Sequence, residues 1–333
     1  MGYINIKKLA EELNLSPASV SRALNDSHEI SKETKERVWE LAKKLNYEPN
    51  PSASNLRSHK SKTIAVIIPQ VANSFFSLAI NGIEKIARQR DYHVLIYQTH
   101  DNSDMEIAFI NRLLNGRVDG ILISISSSTI DNTPFTELIK NIPIVFFDRM
   151  YDEIDAVNIT TDDYESSYQA TQHLIEAGCQ RIAYLFALNN LITGKRRMAG
   201  YVNALKDNNI LYDEQLIITH IENEDEDYAN IKNLLTSEKP DGIISSIEEM
   251  ALPCYSACKQ LNINIPGDIK IISFSNLKTA QLLDPPLSTV TQPAAEIGQK
   301  AAEILFKMLD KKHFEPKETI VLRSTIIPRE STR

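Results

Sequence analysis

The sequence predicts a small all-α helix-turn-helix head followed by an α/β core of two doubly wound parallel-sheet subdomains. Three short helical patterns, with a tight turn between the first two, fill the opening 45 residues. From Thr63 onward, short apolar runs rich in β-branched residues alternate with helical patterns in two successive sets. The charge, finally, is uneven. Residues 1 to 62 hold 11 lysines and arginines against 8 acidic residues, and the rest of the 333-residue chain holds 25 against 36. An acidic body joined to a mildly basic module is what a nucleic-acid reader joined to a separate sensor would show, and chance asymmetry of so small an excess is the alternative.

Within the head, Ile6, Leu9, Ala10 and Leu13 recur at i, i+3, i+4, i+7, which is one face of a helix, and Asn14 ends it. Ser16 is a good N-cap and Pro17 a good first-turn residue, so a second helix starts there, with Val20, Ala23 and Leu24 on one face. Ser31 can cap a third helix, whose buried stripe is Val38, Leu41, Ala42 and Leu45. In a helix-turn-helix module the second helix lies in the major groove of DNA. Its exposed residues here are Pro17, Ala18, Ser21, Arg22 and Asn25. A bidentate Arg22–guanine pair is worth roughly 1–3 kcal/mol of discrimination. Ser16, Ser19 and Ser21 can donate to phosphates without net positive charge. A generic three-helix bundle fits the same pattern. The next stretch, YEPNPSASNLRSHKSKT, favours the reader. Asn50 and Pro51 make a capped helix start, and residues 51 to 57 give a helix too short to be stable alone. Its Leu56 suits a wedge into a minor-groove base step.

In the core, TIAVIIP, HVLIYQ, DGILISI and IPIVFFD are runs of buried-strand type, separated by helical IEKIARQR, IAFINRLL and FTELIKNI. RIAYLF, LIITHI, DGIISS and IKIISF repeat the theme. Ligands of such sheets bind at the carboxyl ends of the strands, which for two facing subdomains is the cleft between them. The acidic ENEDEDY stretch, residues 222 to 228, reads as a solvated helix entry. Cys254 and Cys258 sit four apart on a helical pattern without a histidine partner, as core residues do. With Cys179 they make three, which cannot all pair, and a reducing cytoplasm is the expected location. No run of 18 apolar residues occurs, and MGYINIKKLAEELN lacks an apolar core of signal length. G-x-S-x-G and H-E-x-x-H are absent, and TGKRR is half a phosphate loop with Asn189 and Arg196 in the wrong places. No catalytic residue, metal or cofactor is expected.

LAEELNLSPASVSRALN, ISKETKERVWELAKKLNYEPNPSASNLRS and TIAVIIP resemble the lactose-repressor (LacI/GalR) family of bacterial transcription regulators. The resemblance runs over nearly the whole chain, and the S-V-S-R-x-L-N and Y-x-P-N-x-x-A-x-x-L elements are specific together. It implies a hinge helix carrying Ala53 and Leu56, the leucines of a dimer opening a central CpG step of a palindromic operator. It also implies a periplasmic-binding-protein-like core with three crossover strands near 161–164, 289–293 and 320–323. The expected organisation is a helix-turn-helix domain at 1–48 and a hinge helix and linker at 49–62. The N-terminal core subdomain then takes 63–162 and 291–321, and the C-terminal one 163–290 and 322–333. The candidate DNA-contacting residues are Asn5, Ser16, Pro17, Ala18, Ser19, Ser21, Arg22, Asn25, Asn50, Ala53, Leu56 and Arg57.

Strand ends and family position together place Asn73, Phe75, Phe76, Ser124, Ser126, Asp148 and Arg149 at the cleft. Either phenylalanine could stack on a ligand ring or belong to the core, and Asp148 and Arg149 could pair with each other. Arg197, within TGKRRMAGY, matches the ligand-clamping arginine of the family. Ser275 and Asn276 stand in SFSN where the family often grips a sugar with aspartate, and SIEEMA puts Ile247 and Glu248 where Asn-Asp is usual. Pro17 and Ala18 take the family's main base-reading positions without side-chain hydrogen bonds, and Ser54 replaces its usual hinge arginine. The expected protein is a cytoplasmic homodimeric repressor of double-stranded DNA with a small-molecule effector, a carbohydrate on family grounds, and no membrane association. The competing expectations are a regulator of the same fold triggered by a partner protein or corepressor, and a solute-binding protein of the same core.

Overall fold

A computed structural model describes residues 5–24, 26–45, 47, 61–113, 117–128, 133–151, 154–221, 223–311 and 317–333. Residues 1–61 and 62–333 form two compact units. The first contains α1 (Ile6–Leu13), α2 (Pro17–Leu24) and α3 (Lys32–Lys44). Asn14 closes α1 in the left-handed region at φ 52°, a conformation that asparagine tolerates. The Ser16 hydroxyl accepts the Ser19 amide at 3.0 Å and starts α2, and Ser31 does the same for Thr34 at the head of α3. Leu9, Ala10, Val20, Ala23, Leu24, Val38 and Ala42 form the core of this unit. Leu41 and Leu45, expected in the stripe, are partly buried at its margin. The expected hinge helix, with Asn50, Ala53, Leu56 and Arg57, lies outside the described residues, as does Asn25.

The second unit contains two six-stranded sheets. The first, in the order β11-β5-β4-β3-β1-β2, joins β1 (Thr63–Ile68), β2 (His93–Gln98), β3 (Gly120–Ile123), β4 (Ile144–Phe147), β5 (Val157–Thr161) and β11 (Glu318–Leu322), all parallel. One face packs on α4 (Ser74–Gln89) and α11 (Ala294–Lys311). The other packs on α5 (Ser103–Leu113) and α6 (Thr133–Ile139). The second sheet, in the order β12-β10-β9-β8-β6-β7, joins β6 (Ile182–Phe186), β7 (Ile217–Thr219), β8 (Gly242–Ser245), β9 (Lys270–Phe274), β10 (Ser288–Thr291) and β12 (Thr325–Ile327). Its helices are α7 (Asp163–Glu176) and α8 (Ile192–Asp207) on one face, α9 (Glu224–Ser237) and α10 (Glu248–Leu261) on the other. The chain passes between sheets after β5, after β10 and after β11. Parallel sheets covered on both faces need continuous apolar strands, which is why β1, β3 and β4 read as such in the sequence.

Three elements differ from expectation. HVLIYQ forms β2 at a sheet edge, where Leu95 and Ile96 are more than 40% exposed, so an apolar run is not a buried strand there. LIITHI contributes only the three-residue edge strand β7, also incompletely buried. The terminal β12 runs antiparallel to β10, so the second sheet is not wholly parallel. Cys179, Cys254 and Cys258 are all buried and free. Among the described residues, no helix is long and apolar enough to cross a membrane.

Packing of α4 against α11 is set by two glycines. A Cβ on Gly82 would collide with the Ala295 carbonyl oxygen, and one on Gly298 with that of Ala79, so the helix backbones touch directly. Gly82→Ala is therefore expected to push the helices apart at a cost of about 1–3 kcal/mol, as overpacking does. A lowered urea midpoint of unfolding for the core would register it, and an unchanged midpoint would refute the contact.

Candidate functional site

The exposed face of α2 presents Pro17, Ala18 and Arg22, with Ser19 and Ser21 half-buried beside them. Two candidate polar groups already have structural work. Asn5 caps α1 by accepting the Lys8 amide at 3.1 Å, and Ser16 caps α2 while its hydroxyl meets that of Ser19 at 2.9 Å. The Arg22 guanidinium pairs with Glu29, at 3.1 Å, both side chains about half exposed. Glu29 sits on the turn into α3, and nothing in its spacing from Arg22 announces the contact.

At the strand ends of the core, a carboxylate joins the two lobes. Asn73 caps α4, its Oδ1 accepting from the Phe75 and Phe76 amides, while its Nδ2 donates to Glu249 at 2.6 Å. The neighbouring Ser74 amide donates to Glu248 at 3.0 Å. The other Glu248 oxygen accepts from the Ser275 hydroxyl at 3.0 Å and the Asn276 amide at 3.1 Å. Asn276 also donates to the Gln292 carbonyl at 2.7 Å, leaving its buried Oδ1 without a hydrogen-bond partner. Ser275 and Asn276 thus do lie at the cleft, but what they hold is Glu248.

A second cluster contains the ionic residues. Asp148 ends β4 at φ 63°, and its carboxylate lies 3.7 Å from the Nε of Arg149. The Arg149 hydrogen bonds go instead to Asp101, from Nη1 at 3.0 and 3.2 Å, and its guanidinium lies 5.5 Å from the Phe76 ring centre. Burial works against the Asp101 carboxylate, but Arg149 and Ser127 outweigh it and hold its pKa below the usual range. Arg197 is almost fully buried. It donates to Asp163 at 2.8 Å and to the Ser246 carbonyl at 2.7 Å, and stacks 4.0 Å from the Phe274 ring centre. Ser124 lies beside the Asp148 carboxylate. Ser126 is tied into its own loop, its amide on the buried Glu106 and its hydroxyl on Ser128.

Phe75 and Phe76 belong to the core between α4, α11 and the first sheet, edge-on to each other and, through Phe76, to Phe147. Neither is an open stacking surface. The acidic entry to α9 is solvated only in part, because Asp227 is buried and binds His220 at 2.6 Å and the Ile221 amide. Asp101, Asp163, Glu248 and Glu249 are the residues the candidate set lacks. The first two follow strands of unremarkable sequence, whereas the departure in SIEEMA did mark Glu248, though not Glu249. Further lobe contacts run from the Thr193 hydroxyl to the Asp148 carbonyl at 3.2 Å and from Leu191 into the first lobe's core. Beside them a small polar recess is lined by Asp148, Asn158, Thr160, Thr193, Arg196 and Thr319, with the buried Asn158 Oδ1 unpartnered.

Residues 5–50 match the bacterial regulatory proteins of the lacI family, and residues 171–332 match a periplasmic binding protein-like domain. The chain is 31% identical to a catabolite control protein A of Staphylococcus xylosus, covering 96% of both chains. It is 32% identical to a transcriptional repressor PurR of Vibrio atlanticus, over 96% of this chain and 98% of that one. In three dimensions it is similar to the Lac repressor dimer bound to operator and an anti-inducer, with a TM-score of 0.87 at 21% identity and 99% coverage of both chains.

Asp148 is a titrating group in this cluster. Burial pushes its carboxyl up to about 6, against the pull of Arg149 and Arg197. Between about pH 4 and 6 the folded state therefore keeps a proton that the unfolded chain has released, and stability falls as pH rises through that window. Above it the cost of the buried charge persists. Asp148→Asn, which suits the left-handed backbone, is expected to stabilise the core by about 1–3 kcal/mol at pH 7.5. The gain should vanish near pH 4, and urea unfolding at the two pH values would reveal a gain that persists, or none at all.

Proposed function

The chain belongs to the LacI family of bacterial regulatory proteins, and from that premise we propose that it is a cytoplasmic homodimeric repressor whose core senses a small molecule. The observation that carries the reading is one chain holding both a head with an exposed α2 face around Arg22 and a two-lobed core with an ionic cleft. A regulator of this class is not an enzyme, and the cleft suits binding rather than bond breaking. The ionic residues Asp148, Arg149, Asp163 and Arg197 stand at the strand ends, where ligands of such sheets bind. On family grounds the effector class is a carbohydrate or sugar derivative.

Dimerisation is supported by physical need. One reading helix contacts too little DNA for useful specificity, whereas a two-fold pair reads a palindrome. Large apolar side chains are exposed on the core at Leu95, Ile96, Leu252 and Leu282, the last 75% exposed. In the same proposal, Leu56 of each protomer enters a central CpG step, with Asn50, Ala53 and Arg57 around it. Arg22 reads guanine, Ser16, Ser19 and Ser21 meet phosphates, and Asn5, Pro17, Ala18 and Asn25 complete the DNA face.

The test is selection of bound duplexes from a random pool, with and without a carbohydrate mixture. Enrichment of a palindrome with a central CpG, lost when the mixture is present, is the expected result. No enrichment in either arm would overturn the simple repressor. On the selected duplex, Arg22→Ala should weaken binding about 5- to 150-fold, the equivalent of roughly 1–3 kcal/mol, with a smaller loss on random duplex. Glu29→Gln removes a negative charge from the DNA-facing side and should strengthen binding to random duplex, an effect fading at high salt. Fluorescence anisotropy on both duplexes checks the pair, and equal losses on both for Arg22→Ala would deny it a reading role.

A further inference from the structure

We propose that Glu248 and Glu249 form a clasp between the lobes, closing the core without an effector. The proposal rests on the reading of the core as an effector-controlled sensor, but its central claim concerns the ligand-free protein. Both residues open α10 in the second lobe, and both reach groups at the amino end of α4 in the first. The first amides of a helix lack partners within the helix, and its amino end carries partial positive charge. Asn73 serves two of those amides in α4, and Glu248 serves the Ser74 amide from across the cleft. Two helix ends of like polarity thus face each other, and the two carboxylates between them turn repulsion into attraction.

The clasp is pre-organised. Ser275 and Asn276 hold one Glu248 oxygen from within the second lobe, so those two hydrogen bonds survive opening. Of the Glu248 and Glu249 hydrogen bonds given above, Ser74–Glu248 and Asn73–Glu249 cross the cleft and break. Closing therefore costs little ordering of the Glu248 side chain, because Ser275 and Asn276 already aim it. An effector that uses Ser275 and Asn276 has to displace Glu248 first, so the family's sugar-gripping position is self-occupied in this chain. Glu248 is a positioning residue for the closed state.

The experiment measures inter-lobe distance in the full-length, effector-free protein by pulsed dipolar spectroscopy. Spin labels go at the exposed positions Lys85 of α4 and Lys259 of α10, as Lys85→Cys and Lys259→Cys. Glu248→Ala should add a longer-distance population absent from the unsubstituted chain. Asn73→Ala with Glu249→Ala, which leaves Glu248 in place, should add a smaller one and guards against a folding failure of the first variant. A purely local role at the start of α10 would lower stability without changing the distances, and unchanged distances in both folded variants would overturn the clasp. If the lobes open yet operator affinity stays constant, the clasp stands and the coupling of the core to DNA falls.

Discussion

Parallel strands all end on the same edge of their sheet, and almost every polar group of interest depends on that constraint. Asn73 follows β1, Ser124 follows β3, Asp148 and Arg149 follow β4, Glu248 follows β8 and Ser275 follows β9. The chain has no freedom to scatter them. Two such edges placed face to face by three passages between sheets give a cleft whose walls are loop residues and helix amino ends. Its chemistry follows from the same direction: helix amino ends favour carboxylates, and carboxylates then recruit arginines. The pairs Arg149–Asp101 and Arg197–Asp163 are the result, both largely withdrawn from water.

How much of this was legible in the sequence depended on whether the signal was local. The caps at Asn14, Ser16 and Ser31 were readable because capping is decided within four residues. Central strands were readable because burial on both faces leaves no room for polar residues. The exposure of β2 and β7 was not, since an edge position is a property of the finished sheet. Phe75 and Phe76 sat where a ligand-stacking ring could be, and the outcome turned on α11, more than 200 residues away in the chain. Partners of buried charges were the least legible. Asp227 reads as one more acid in a solvated run until His220 is placed against it, and Glu29 as a surface acid until the turn brings it to Arg22.

The head answers how an acidic protein comes to face DNA. Its basic excess is small, and Glu29 and Asp26, already counted in it, lie against Arg22 and Lys35. Solvent-exposed pairs of this kind are weak, about 0–1 kcal/mol, so a phosphate or a base edge can compete for the guanidinium. In protein–DNA recognition generally, phosphate contacts position the protein while base contacts and DNA shape carry the discrimination.

The interleaving of the two lobes along the chain has a consequence for synthesis. Helix α11 and strand β11 complete the first lobe, yet they are encoded after nearly all of the second. As the chain leaves the ribosome, β1 to β5 emerge with one sheet face covered by α4 alone and one edge unpaired, waiting for Ala294–Leu322. Chains of this size generally acquire structure domain by domain from the amino end. Here the later lobe becomes whole in near synchrony with the earlier, as both take a final strand from the last few dozen residues. A truncated product lacking the last strands would leave both sheets short of one edge strand, not one finished lobe beside an unfinished one.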